Sequence, residues 1–247
     1  MLKNLFFALI MPLMIFAQTG DEIAQLIDDR AEPEDMTSDM TMVLTSKRGK
    51  TRTMTVHSVR KGEEKMIIWF LAPADDRGVA FLKIEHPDKD DEMRMWLPSF
   101  GKLRRIASSK KGESFMGSDL SYEDMTSRSL EDYTYELLGE DELDGTAVWK
   151  LQSTPIPELR SSYGHHIAWV RKADAVVLKE ETYNRASQLQ KVRTMDLKEQ
   201  GDYLVFTRMF VEDVLKNHST ELIFENIVLD TGVEDDLFHE RNLRRLP

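Results

Sequence analysis

Between Met36 and Leu229 the apolar residues recur with a period of two rather than 3.6, in short runs broken by turn residues. Alternate positions on a strand face opposite sides, so this period specifies half-buried strands and excludes a helical bundle. Met40, Met42 and Leu44 alternate with Thr41, Val43 and Thr45, and Thr51, Thr53 and Thr55 alternate with Arg52, Met54 and Val56. The hairpin-like link Lys47-Arg48-Gly49-Lys50 lies between them. Further strand-like runs cover 66–71, 79–85, 92–97, 133–138, 148–153, 167–171, 176–183, 189–197, 203–211 and 220–229, most of them separated by Gly, Pro, Asp or Asn. Roughly a dozen short strands in meander order predict one large antiparallel sheet. A sheet of that size twists and curls. The predicted fold is therefore mainly β, an unclosed half-barrel with a short helical lid.

One helix stands out. Thr19-Gly20-Asp21-Glu22 has capping-box spacing, Ile23, Leu26 and Ile27 follow at helical spacing, and Pro33 forbids continuation. Residues 98–132 interrupt the meander as a loop-rich segment with short helical turns, and 155–163 holds another single turn. The helix at 21–30 and the 98–132 segment are expected to lie across the mouth of the curled sheet. No Pro- or Ser-rich linker divides the chain, so residues 18–247 are expected to form a single domain.

Residues 1–17 carry a different signal. Lys3 precedes an uncharged apolar run at 5–16 that ends in Ala17, the pattern of a secretory signal peptide, and the run is too short to span a bilayer as a helix. Export with cleavage after Ala17 is expected. The remainder holds 32 basic and 44 acidic side chains, a net charge of −12, which opposes binding to nucleic acid. The chain has no cysteine, which excludes disulfides, Cys-ligated metal, a Cys nucleophile and lipoprotein acylation.

Three groups of side chains are candidates for function. Met54, Val56, Met66, Ile68, Phe70, Met93 and Met95 each fall on one face of a strand, alternating with Thr53, Thr55, Ile67, Trp69 and Arg94. Flexible thioethers suit a surface that accepts acyl chains of varied shape, and they also pack ordinary cores. Lys102, Arg104 and Arg105, with Lys110 and Lys111, form a basic island that suits phosphate headgroups or an acidic partner, or pairs internally with the acids that follow. Asp119, Glu123 and Asp124 could share a hard cation, but no calcium-loop signature surrounds them and a serine cap accounts for the pattern equally well. No zincin motif, nucleophile elbow or Gly-rich phosphate loop occurs, so no catalytic residue, metal or cofactor is assigned.

The stretches Met95-Trp96-Leu97-Pro98, Arg104-Arg105-Ile106 and Phe115-Met116-Gly117-Ser118-Asp119-Leu120-Ser121-Tyr122-Glu123-Asp124-Met125 resemble the outer-membrane lipoprotein-sorting protein family, the relatives of LolA. Arg77-Gly78-Val79-Ala80-Phe81-Leu82, Asp235-Asp236-Leu237-Phe238 and Arg244-Arg245 resemble the same family. The resemblance implies a periplasmic half-barrel with a hydrophobic cavity for acyl chains, association with an RND-type exporter, and transient contact with a membrane surface. It implies a carrier of lipid or lipoprotein rather than an enzyme. A lipid sensor of the same fold, or an envelope-lipid hydrolase, are the competing functions.

Overall fold

Thirteen antiparallel strands form one continuous sheet in the computed structural model, which describes residues 18–86 and 89–247. In chain order they are β1 (Asp35–Thr45), β2 (Thr51–Lys61), β3 (Lys65–Ala72), β4 (Ala80–Ile84), β5 (Glu92–Leu97), β6 (Lys102–Ile106), β7 (Tyr133–Leu143), β8 (Thr146–Pro155), β9 (Tyr163–Arg171), β10 (Val177–Asn184), β11 (Leu189–Gln200), β12 (Tyr203–Asp213) and β13 (His218–Leu229). The spatial order is 6-5-4-3-2-1-13-12-11-10-9-8-7. Each strand but one follows its hairpin neighbour, β13 returns to pair with β1, and β6 and β7 are the two free edges. The half-barrel is thus unclosed, as the strand pattern predicts. The one connection that joins the two edges is residues 107–132. The predicted signal peptide lies outside the described residues. No helix among them is long and apolar enough to cross a membrane.

β6 is a strand that the alternation does not announce, because Lys102, Arg104 and Arg105 are polar on both of its faces. Backbone pairing with β5, from Met93 opposite Ile106 to Leu97 opposite Lys102, makes it a strand regardless of side-chain pattern.

The single α-helix among the described residues, α1 (Gly20–Asp28), is capped as the sequence predicts. The Glu22 amide donates to Thr19 Oγ1 at 3.2 Å and the Thr19 amide donates to Glu22 Oε2 at 2.8 Å. Its buried side chains, Ile23 and Ala24, pack on Trp149, Leu151, Ala168 and Val170. Gly20 approaches the β7 backbone so closely that a Cβ there would sit 2.7 Å from the carbonyl carbon of Tyr135.

The outer face is covered in part, which the small helical content does not lead one to expect. Past β13 the buried Asp35 carboxylate accepts from the amides of Thr231, Gly232 and Val233 and from the Thr231 hydroxyl, at 2.8–2.9 Å. Burial works against this carboxylate, yet the backbone donors hold it below its ordinary pKa. The chain then runs across the back of β3 and β4, where Phe238 and Leu243 pack on Ile67, Trp69 and Leu82. Asp235 lies 2.9 Å from both Lys61 and Lys65.

Candidate functional site

Directly opposed residues in a sheet share a face, so the register traces the inner surface strand by strand. Leu44 opposes Thr220, then come Val211, Arg193, Glu180, Ala168 and Leu151 in one line from β1 to β8. In the other direction Met42 opposes Met54, Val56 opposes Phe70, and Ile68, Phe81 and Met95 follow in line across β3 to β5. The inner face therefore has two halves. From β12 around to β6 it is apolar; across β9 to β11 it carries charge.

On the apolar half, Met54, Val56, Ile68, Phe70, Met93 and Met95 are all at most 4% exposed. They belong to one packed cluster, with Met66 partly buried against it. What covers them is the connection 107–132. Its central part doubles back on itself, with the Phe115 amide donating to the Leu120 carbonyl at 2.8 Å and the Tyr122 amide to the Glu113 carbonyl at 3.1 Å. Met116 and Gly117 form the tip at φ +52° and +80°, and at Gly117 that left-handed backbone favours a residue without Cβ. Phe115, Leu120 and Tyr122 point down onto the methionine face. The Phe115 ring stands edge-on to Phe81 at 5.1 Å and to Tyr122 at 5.8 Å, and lies 6.0 Å from Phe70. Burial raises the Tyr122 phenol above its ordinary pKa.

The same loop is tied by polar contacts to the end of β13 and to the charged half. Asp119 Oδ2 is 2.7 Å from His218 Nδ1 and accepts from Thr220 Oγ1 at 2.7 Å. Asp124 accepts from Lys191 Nζ at 2.6 Å and from the Tyr163 hydroxyl at 2.9 Å. Burial opposes the Asp124 charge, but Lys191 wins and keeps its pKa below the ordinary value. Glu123 accepts from Ser161 and Ser162. Farther along, Arg128 grips the buried Glu180 with both guanidinium nitrogens, at 2.6 and 3.1 Å, and Arg193 reaches the same carboxylate at 2.7 Å. Burial would raise the Glu180 pKa, yet the two guanidinium groups hold it far below the carboxylate range. Burial, reinforced by Arg128, pushes the neighbouring His166 down to about 3, so this imidazole is neutral at physiological pH. Two clefts open where the loop meets the rim. One, of about 160 Å³, includes Ser114, Asp119, Tyr163, Lys191 and Lys216 in its lining; the other, of about 260 Å³, includes Lys47, Asp119, Lys216 and His218.

Comparison with known proteins identifies the architecture. No curated protein matches the chain. A family model described as "-like: Uncharacterized protein" matches residues 62–245. Among solved structures, a domain described as an outer-membrane lipoprotein-sorting protein from Vibrio parahaemolyticus is 31% identical. The match covers 92% of this chain and 98% of that one, with a TM-score of 0.84. The chain belongs to the outer-membrane lipoprotein-sorting protein family. A DUF1329 family protein from Desulfovibrio piger is similar to the same extent, with 29% identity over 91% of this chain and 97% of that one and a TM-score of 0.86. The LolA superfamily protein NE2245 from Nitrosomonas europaea shares the fold at 19% identity and a TM-score of 0.74, covering 92% and 100% of the two chains.

Within this LolA-like frame the remaining sequence candidates find their places. Lys102, Arg104 and Arg105 stand exposed on the edge strand β6. Arg104 is 3.3 Å from Glu113 of the covering loop, Lys110 is 2.5 Å from the same carboxylate, and Lys111 is 2.6 Å from Asp91. Lys102 and Arg105 make no ion pair among the described residues. Asp119, Glu123 and Asp124 diverge to three separate sets of partners, as the contacts above show, so they do not converge on one cation. His165 and His166 point to opposite faces, the first stacked on Tyr183 at 4.3 Å and the second buried. Alternation alone does not reveal Arg128, Tyr163, Glu180, Lys191 and Arg193. The available signal is phase: Glu180, Lys191 and Arg193 occupy the positions on their strands at which a core-facing residue is due.

Proposed function

We propose that this LolA-like chain is an exported, periplasmic carrier that holds lipid, or the acyl chains of a lipoprotein, on the inner face of the half-barrel. In this reading it passes them between envelope partners, with an RND-type exporter among them. The observation that carries the proposal is the continuous methionine-rich face of Met54, Val56, Met66, Ile68, Phe70, Met93 and Met95, covered by a loop rather than by the sheet itself. Magnitudes favour exchange of that loop for a ligand. Uncovering Phe115, Leu120 and Tyr122 costs roughly 5–9 kcal/mol at about 1.5–3 kcal/mol per large side chain, and a dozen methylenes at about 0.8 kcal/mol each offset it. Names of relatives support this reading: one solved neighbour is described as a lipoprotein-sorting domain. The sequence holds no nucleotide-binding loop, so direction in this scheme comes from affinity differences between donor, carrier and acceptor, or from a powered partner.

The test is mass spectrometry of solvent extracts from protein purified out of its native envelope. The expected result is acyl lipid recovered unmodified, with a fluorescent fatty acid binding to the delipidated protein. Absence of both extracted lipid and probe binding would overturn the proposal; conversion of the lipid into product would favour a hydrolase.

A further inference from the structure

The covering loop has the polarity of the ligand it would give way to. Phe115, Leu120 and Tyr122 occupy the apolar half, while Asp119 and Asp124 reach the charged rim and are themselves 4% exposed or, for the Asp124 side chain, 5%. Apart from Ser121 of the loop itself, whose amide and hydroxyl donate to Asp124, the groups that receive these two carboxylates belong to the sheet: His218 and Thr220 on β13, Lys191 on β11, and Tyr163 on β9. When the loop withdraws, both carboxylates leave with it. The rim then keeps Lys47, Lys191 and Lys216, against which stands Asp213, already 2.6 Å from Lys216. Lys191 is the decisive member: with the loop in place its side chain is 8% exposed and 2.6 Å from Asp124, and it loses that ion-pair partner when the loop leaves. The open state thus calls for an anion at this place. The two clefts already bring solvent to it.

We infer that Asp119 and Asp124 are internal stand-ins for an anionic headgroup. The rim of Lys191, Tyr163, His218 and Thr220, with Lys47 and Lys216, is a binding site for the phosphate of an acyl lipid. This deepens the carrier reading and rests on it. A phosphate group matches the donors by chemistry, since ammonium, phenol and threonine hydroxyls all donate to its oxygens. Headgroup binding and loop release are then one event, because the phosphate takes over the bonds that hold the loop down.

The test is equilibrium binding of fluorescent phosphatidic acid and of diacylglycerol with the same acyl chains, alongside calorimetry with inorganic phosphate alone, all on the cleaved full-length chain. Phosphatidic acid is expected to bind about tenfold more tightly than diacylglycerol, the worth of one charge-assisted hydrogen bond. In Lys191→Met the ratio should fall to about one. Asp124→Asn should tighten phosphatidic acid, since it weakens the loop and spares the receptor. The double variant Lys191→Met/Asp124→Asn removes both charges of the pair together and leaves neither unpaired; with that loop tie gone it should bind diacylglycerol at least as tightly as wild type does and show no preference for phosphatidic acid. Equal affinity of wild type for both lipids, or a preference that survives Lys191→Met, would overturn the headgroup site and leave the carrier reading standing. Failure of both lipids to bind would bring down the carrier reading itself. Calorimetric binding of inorganic phosphate as tight as that of phosphatidic acid would assign the rim to free phosphate and overturn the lipid source.

Discussion

Two pieces of chain cover the inner face, and they are fastened in different ways. Helix α1 holds to β7–β9 by apolar packing: Ile23 and Ala24 are buried, and every side-chain hydrogen bond it makes among the described residues is internal to the segment. The loop at 107–132 adds to its own apolar contacts a set of charged and hydroxyl ties to β9, β11 and β13. The packing of α1 offers no charged tie that a headgroup could take over. Polar ties can be replaced, one for one, by another polar molecule. In the carrier reading proposed above, the difference makes the helix part of the scaffold and the loop the element that exchanges.

The sharpest way to break this contrast is to lock the loop. A Cβ built on Gly112 lies 3.0 Å from Cβ of Ser162, slightly closer than the roughly 3.5–4.5 Å of a disulfide, so a small shift accommodates the bond. With no native cysteine to interfere, Gly112→Cys/Ser162→Cys should stop exchange of a labelled lipid on oxidation and restore it on reduction. Exchange at one rate in both states would remove the loop from the mechanism. Next in size is the face assignment. Met93→Lys places an ammonium among buried apolar groups and should cost several kcal/mol in denaturant unfolding or abolish binding of an acyl probe. Thr55→Lys on the outer face should stay within about 1 kcal/mol; equal tolerance of the two would refute the assignment.

A third comparison truncates one anchor from each cover. Ile23→Ala should lower global stability by about 2–5 kcal/mol. Phe115→Ala removes as buried a side chain, but the expected signature is faster hydrogen exchange confined to 112–125 with a smaller change in global unfolding. Acid should separate the covers as well. The folded-state pKa of Asp124 is depressed, so its stabilising contribution is complete above its ordinary value of 3.8 and fades as pH falls from there toward the lowered one. Exchange protection of the loop, corrected for intrinsic rates, should therefore drop below about pH 4 while that of α1 holds. The smallest expected effect is at the edge. Glu in place of Lys102 and Arg105 should slow association with anionic vesicles by a few-fold at low salt, and salt should erase the difference.

How much of this was legible beforehand follows the same division. The apolar half is written in period two, and Met93, Met95, Ile68 and Phe70 could be placed on a common face because alternation encodes facing directly. The capping box at Thr19 and Glu22 likewise encodes its own helix. Lys191 and Glu180 were harder to read, since a charged residue in a strand is ordinarily solvent-facing and only the phase of alternation along their strands, which the register then establishes, marks them as inward. Pairing across such distances in sequence, as between Arg128 and Glu180 or Asp119 and His218, has no local signature at all.

The path of the chain adds one more consequence. Because the 107–132 connection runs from one free edge of the sheet to the other, the mouth is spanned by a covalent handle whose two ends are fixed in β6 and β7. Such a handle has on the order of 85–95 Å of contour, at about 3.3–3.6 Å per residue. It can slacken and swing aside, but it cannot detach. In the carrier reading, cargo that enters while the handle still spans the mouth slides in beneath it, and a lipid whose free end is bulky, such as one attached to a protein, enters tail first and keeps that bulk outside the hoop.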